Sequence, residues 1–136
     1  MNNQMIRIAA VVIRNGAGEI LSVRKRGTTA FMLPGGKLEP GETGLEAAVR
    51  EIAEELHLAL DPAELNGVGT MSAPAANEPG FEVVCDVFEW QGTVERIGVF
   101  EEIEEARWFA ADSQADELAP LSRDVVFPAL VSRKRK

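Results

Sequence analysis

The chain has 136 residues, enough for one domain and too few for two ordinary ones; 46% apolar and 26% charged residues fit a globular protein with a core and exclude a mainly disordered chain. The 14 Lys+Arg against 22 Asp+Glu give −8, and without the four basic residues at 133–136 only 10 stand against 22, leaving the body at −12. So acidic a surface disfavours a nucleic-acid duplex as partner, and it repels a phosphorylated substrate unless a cation stands between them.

The opening, MNNQMIRIAAVVIRNG, has neither a basic start nor a small-residue cleavage site, so a cytoplasmic protein is expected. No run approaches the ~18 apolar residues of a membrane span. Ile6 to Arg14, rich in Ile and Val on both alternating faces, is predicted as a central strand. Asn15-Gly16-Ala17-Gly18 is turn chemistry, and Glu19 to Arg26 is the predicted partner strand of a hairpin. Leu33-Pro34-Gly35-Gly36 is expected as a loop or short edge segment. The best helix runs from Gly44 to about His57. Strands are predicted over Gly67 to Ala73 and Phe81 to Gln91, and the loop Pro74 to Gly80 between them cannot pair as a ladder. Arg107-Trp108-Phe109 is a predicted short strand, and Leu121 to Ser132 a predicted helix despite Pro128. The basic tail 133–136 is expected to be a solvated, disordered terminus of this single domain, 1–136.

Thr43 and Glu46 fit a capping box at the start of the helix, each satisfying the other's orphan backbone donor. On a wheel of about 100° per residue, Leu45, Ala48, Val49, Ile52 and Leu56 form a core stripe, while Glu51, Glu54 and Glu55 form a second arc. Three like charges one turn apart repel, and two of them lie near the helix C-terminus, where the dipole also disfavours anions. Only Arg50 stands near them as a counter-charge. A solvated acidic face and a divalent-cation site both fit this pattern. A single cysteine, Cys85, excludes a disulfide framework or zinc cage, and with His57 the one histidine, any hard metal must rely on carboxylate oxygens.

The loop that feeds the helix, Gly35-Gly36-Lys37-Leu38-Glu39-Pro40-Gly41-Glu42-Thr43, brings in glycines that let backbone approach a ligand closely. Gly36, Glu42, Arg50, Glu51, Ile52, Glu54, Glu55 and Leu58 stand as in the Nudix box, G-x5-E-x7-R-E-U-x-E-E-x-G-U, where U is a large apolar residue. The chain therefore resembles the Nudix hydrolases. One position departs: the last glycine of the pattern is His57, read as a replacement for a left-handed helix cap, since histidine is among the residues that tolerate that conformation.

The resemblance implies an α/β fold, a Nudix-type α/β/α sandwich around a mixed β-sheet. It implies metal-dependent hydrolysis of a nucleoside diphosphate linked to another group, with Mg²⁺ or Mn²⁺ as cofactor, and makes a homodimer plausible. By position, Glu51, Glu54 and Glu55 match the family's metal-binding acids, with Glu51 or Glu55 also able to activate water, and the Gly35 carbonyl is the expected backbone ligand. Arg50 and Glu42 match a pair that braces loop and helix, and Gly36 is the motif's glycine. Lys37, Arg24 and Arg26 are candidate phosphate contacts, the two arginines reading equally well as exposed strand residues. Some relatives carry a further base or metal ligand on a late loop, for which Glu102 is the candidate. For the substrate's organic part, Asn77 offers both a donor and an acceptor to a base or ribose, and Phe31 either stacks on a base or belongs to the core. The chain's compactness matches members that clean damaged nucleoside triphosphates, which makes a small nucleoside di- or triphosphate derivative the expected substrate. Pro74 stands near the offset at which ADP-ribose-specific relatives carry a proline, so an ADP-ribose-type pyrophosphatase is the alternative. A catalytically silent nucleotide-binding domain is a further alternative; loss of one of the three glutamates would favour it, and all three are present.

Overall fold

The structure is a computed structural model that describes residues 4–76 and 78–134. The first strand, β1 (Gln4–Arg14), sends Ala9, Val11 and Ile13 to one face and Ile8, Ala10 and Val12 to the other. A strand apolar on both faces must lie inside a sheet covered on both sides. β1 is followed by β2 (Ile20–Lys25), β3 (Gly35–Lys37), helix α1 (Gly44–Leu56), β4 (Leu65–Pro74), β5 (Phe81–Thr93) and β6 (Ile103–Phe109). A π-type turn, Leu121–Val126, leads into α2 (Phe127–Lys134). The six-stranded sheet has the order β4-β5-β1-β2-β6, with β3 against β1. β1 and β5 run parallel, and every other pairing is antiparallel, so the sheet is mixed. α1 packs over Ala9, Val11, Ile13, Leu21 and Val23, while the π-type turn and α2 cover Ala10, Val12, Cys85 and Val87 on the opposite face. The architecture is the expected α/β/α sandwich. Within it, burial pushes the Cys85 thiol up to about 12, so it behaves as an apolar core residue.

Several local expectations need correction. The Asn15 turn closes, with Gly18 N–H donating to Asn15 O at 2.9 Å, but β1 and β2 pair only at Arg14↔Ile20 and then splay. The gap is filled by the segment expected to be a loop or edge: Met32 bridges Val23 of β2, and Gly35–Lys37 pairs with Ile8–Ala10 of β1. Glycine makes this insertion possible. Gly35 has φ 152°, and a Cβ there would strike the Ala9 carbonyl. β4, β5 and β6 each run longer than their sequence signals, β6 beginning at Ile103 rather than Arg107. Pro128 is the second residue of α2, where it breaks no intrahelical bond, and Phe127 N–H donates back to Ser122 O across the π-type turn. The helix continues to Lys134, so the basic tail starts within it, and residues 135–136 lie outside the described ones.

The capping box of α1 forms as expected: Glu46 N–H donates to Thr43 Oγ1 at 3.1 Å and Thr43 N–H to Glu46 Oε1 at 2.9 Å. At the other end His57 caps the helix in the left-handed conformation, φ 52° and ψ 40°, with its N–H on Ala53 O. The buried face is rotated from the expected stripe. It comprises Gly44, Ala47, Ala48, Ile52, Glu55 and Leu56, with Leu45 and Val49 only half-buried. Small residues win these positions because the helix lies close on the sheet, and one carboxylate is carried under with them.

Gly44 marks a close approach of α1 to β5. The Asp86 carboxylate on β5, bonded by Thr70 Oγ1 at 2.9 Å, occupies the place a Cβ would need. Gly44→Ala gains about 1 kcal/mol of helix propensity but overpacks against that carboxylate, at a cost of about 1–3 kcal/mol. Urea unfolding of Gly44→Ala is expected to show a net loss of about 1 kcal/mol. In an Asp86→Ala background the same change should turn stabilising; equal losses in both backgrounds would refute the contact.

Candidate active site

The C-terminal half of α1 and the β3 backbone form the site together. Because β3 is two glycines and a lysine, its backbone can lie directly beneath the helix. Gly35 N–H donates to Glu55 Oε1 at 3.2 Å. A Cβ at Gly36 would fall on the Glu51 carboxylate, so backbone and acid are in direct contact there. Arg50 organises the outer side of the same helix. Its Nε donates to Glu42 Oε2 at 2.7 Å and its Nη2 to Glu42 Oε1 at 2.9 Å, a bidentate pair that ties loop to helix. The same guanidinium reaches Lys37 O at 3.1 Å, Glu51 Oε2 at 3.0 Å and Glu54 Oε1 at 3.5 Å.

These contacts give the acids different characters. Burial, with the charge of Glu51 beside it, pushes the Glu55 carboxyl up to about 8; Glu102 adds to the rise, while the Gly35 N–H and Lys25 oppose it. Arg50 holds Glu42 down at about 2. Glu54 is half exposed, with its side chain on the outer face toward Arg50. Among the described residues no three His, Cys, Asp or Glu side chains converge on one point.

Glu55, Gly35, Gly36 and Lys37 form one end of a cleft of about 260 Å³ that continues over Ile6, Ile8, Val83 and Ala75 to Leu121 and Ser122. Pro74 and Glu78 line its rim, and Asn77 lies outside the described residues. Lys25 and Thr28 line it too, and sequence reasoning passed over both. Period-two alternation was the available signal: a strand that turns Lys25 toward the cleft turns Arg24 away. Arg24 bonds Glu105 on β6 at 3.1 Å and Arg26 pairs with Glu104 at 3.4 Å, and neither lines the cleft. Phe31 is 2% exposed and packs edge-on against Phe109, centroids 5.5 Å apart, so it serves the core. Glu102 follows the turn at Phe100, whose N–H donates to Glu55 O at 3.0 Å, and its charge reaches Glu55.

The NUDIX domain family model matches residues 5–130. The chain belongs to the Nudix family. It is similar to the 8-oxo-dGTP diphosphatase of Haemophilus influenzae, 39% identical over 69 residues, which cover 48% of this chain and 51% of that protein. The chain thus matches about half the length of that relative. Among solved structures, a MutT protein from Methanosarcina mazei Go1 superposes with a TM-score of 0.81 at 23% identity, covering 100% of this chain and 99% of its own. A MutT NUDIX hydrolase from Burkholderia pseudomallei gives 0.76 at 25% identity over 94% and 99%.

Nudix hydrolases generally use divalent metals, and the residues of this Nudix chain fit such an ion. Glu51 and Glu55 offer hard oxygen donors against the Gly35–Gly36 backbone, where the charge of Glu51 helps push the Glu55 carboxyl up. A cation among them removes that conflict. Glu51, Glu55 and the Gly35 carbonyl could hold it, with Glu54 joining if its side chain leaves Arg50.

The Glu42–Arg50 brace carries a pH signature. Glu42 titrates lower in the folded chain than its ordinary 4.5, so the contact stabilises fully above that value and weakens as the pH falls toward about 2. Glu42→Gln should therefore lower the melting temperature at pH 7, and the gap to the unsubstituted protein should narrow steadily between pH 5 and pH 3. A gap that does not change with pH would show that the brace is not ionic.

Proposed function

We propose that this Nudix chain hydrolyses the pyrophosphate linkage of a small nucleoside di- or triphosphate derivative with Mg²⁺ or Mn²⁺. The observation that carries this reading is the meeting of Glu51 and Glu55 with the Gly35–Gly36 backbone, which lines a cleft together with Glu55, Lys25 and Lys37. The name of the Haemophilus influenzae relative, 8-oxo-dGTP diphosphatase, supports a nucleoside triphosphate as substrate. A cleft of about 260 Å³ is small among ligand pockets, which favours one nucleoside over a dinucleotide.

When bound, the divalent ion neutralises phosphate charge and stabilises the departing phosphate oxygen. Glu51, Glu55 and the Gly35 carbonyl would hold it, joined by Glu54 once its side chain leaves Arg50. Lys37 and Lys25 draw the polyanion across an otherwise repulsive acidic surface. Arg50 and Glu42 keep the loop 37–42 docked on α1, so that the backbone ligand stays in place. Glu55 Oε1 is taken by the Gly35 N–H, which leaves Oε2 to receive the proton of the attacking water; Glu102 is the second candidate for that role, or a further ligand to the ion. The apolar stretch Ile6, Ile8, Val83 and Leu121 receives the base, with Asn77 reading its edge or the ribose.

A panel of nucleoside triphosphates and diphosphate-linked nucleotides, including 8-oxo-dGTP and ADP-ribose, tests the reading. Released pyrophosphate, phosphate and monophosphate are scored with Mg²⁺ and with Mn²⁺. Turnover of a triphosphate above ADP-ribose is expected; preferred cleavage of ADP-ribose would make the chain an ADP-ribose-type pyrophosphatase, and binding without cleavage a silent domain. Millimolar Mn²⁺ should also raise the melting temperature by mass action. Glu55→Gln should abolish that rise and lower turnover at least about a hundredfold, the low end of the range for a general base. Because the buried carboxyl becomes an uncharged amide, its metal-free melting temperature should hold.

A further inference from the structure

The family pattern expects glycine at the end of α1, and the histidine in its place does more than tolerate the left-handed turn. Its imidazole lies flat on the Phe100 ring, with centroids 3.5 Å apart and planes within 5°. Phe100 is one of two large apolar side chains substantially exposed among the described residues, so burial alone does not account for its position. The next residue, Glu101, has φ 58°. Among the described residues His57 and Glu101 are the only non-glycine residues with positive φ, and a single stacked pair joins the two turns they form. Left-handed backbone at a residue with a side chain persists where the surroundings hold it, and such positions cluster at functional sites.

The contacts around the stack lead into the acids. Phe100 N–H donates to Glu55 O at 3.0 Å, giving a partner to a carbonyl the helix end would leave open. Ile103 N–H donates to Phe100 O at 3.1 Å, closing a tight turn over residues 100–103. Arg26 N–H holds Glu102 O at 2.8 Å from the β2 side. Glu102 is therefore pinned between the end of β2 and the end of α1, and the ring of His57 is the side-chain contact on the helix end of that span. With glycine at position 57 the cap would form equally well, but the turn at Phe100 would lean on no ring.

We propose that the His57–Phe100 stack is a clasp that fixes the 100–102 turn against the end of α1 and so sets Glu102 beside Glu55. His57 and Phe100 are then positioning residues, touching neither metal nor substrate. The inference rests on the reading of Glu51, Glu55 and Glu102 as the metal- and proton-handling acids given above.

Three variants separate the clasp from the cap. His57→Asn keeps a residue at ease in the left-handed conformation but removes the ring. Phe100→Leu keeps apolar bulk without a ring, and Phe100→Tyr keeps the stack. In the nucleotide-free protein, His57→Asn and Phe100→Leu are expected to bind Mn²⁺ roughly tenfold more weakly by calorimetry, the low end for a residue that orients a ligand. Amide exchange at residues 100–103 should accelerate in both, while Phe100→Tyr matches the unsubstituted protein on each measure. In turnover, kcat should fall with KM unchanged, and neither change should add a further loss in a Glu102→Gln background. A folded His57→Asn with unsubstituted Mn²⁺ affinity and exchange rates would overturn the clasp, as would losses that simply add to those of Glu102→Gln. If the unsubstituted chain binds Mn²⁺ more tightly than His57→Asn and Phe100→Leu yet cleaves no pyrophosphate, the catalytic reading fails and the clasp stands. If it binds no Mn²⁺, the metal reading fails, and exchange at 100–103 still decides whether the stack holds the turn.

Discussion

Two acids of one helix are held against a backbone that has no side chains to keep them away. Glu51 lies on Gly36 and Glu55 accepts from the Gly35 N–H; a side chain at 36 would fall on the Glu51 carboxylate, and one at 35 would strike the β1 backbone at Ala9. Much of the surrounding architecture serves that approach. β3 reaches this position by entering the gap where β1 and β2 splay, and Ala47 and Ala48 keep the helix low over the sheet. Arg50 and Glu42 hold the intervening loop from outside. A carboxyl buried with another carboxylate beside it is unfavourable as a charge, a cost that a bound cation would offset.

Electrostatics explain why Arg50 and the lysines divide their work. Arg50 is one cation among Glu39, Glu42, Glu51 and Glu54, and its planar fork satisfies Glu42 in two bonds while still reaching Glu51. It is a brace, already committed to protein partners. Lys25 and Lys37 line the cleft instead. On a chain of net charge −8, such local positive sites matter for any polyanion that enters.

The two faces of the sheet meet at this cleft. The acids belong to the α1 side, whereas Ile8, Val83 and Leu121 belong to the core on the α2 side. One cleft is thus lined by Glu55, Lys25 and Lys37 together with the apolar residues Ile8, Val83 and Leu121. The π-type turn contributes here, since its extra residue lets Leu121 and Ser122 face the cleft while Phe127 stays fully buried. The His57 cap belongs to the same end of α1 as Glu55, and its ring ties the turn that carries Glu102 to that helix.

Local chemistry was legible in the sequence. The capping box at Thr43 and Glu46, the left-handed cap at His57, the apolar faces of β1 and the spacing of Glu42, Arg50, Glu51, Glu54 and Glu55 are each written in a short stretch of chain. What depends on distant partners was not. That Arg24 and Arg26 would bond Glu105 and Glu104 required knowing that β6 lies beside β2. That Glu55, rather than Glu54, would be buried required knowing how closely α1 sits on glycine backbone, since a helical wheel gives directions around an axis but no distance from a neighbour. The hairpin expected at Asn15 splayed because β3 competes for the same edge of β1, and hydrogen-bonding edges are assigned by the whole sheet. Residue spacing along the chain therefore determined which groups could act, and tertiary packing decided which of them face one another.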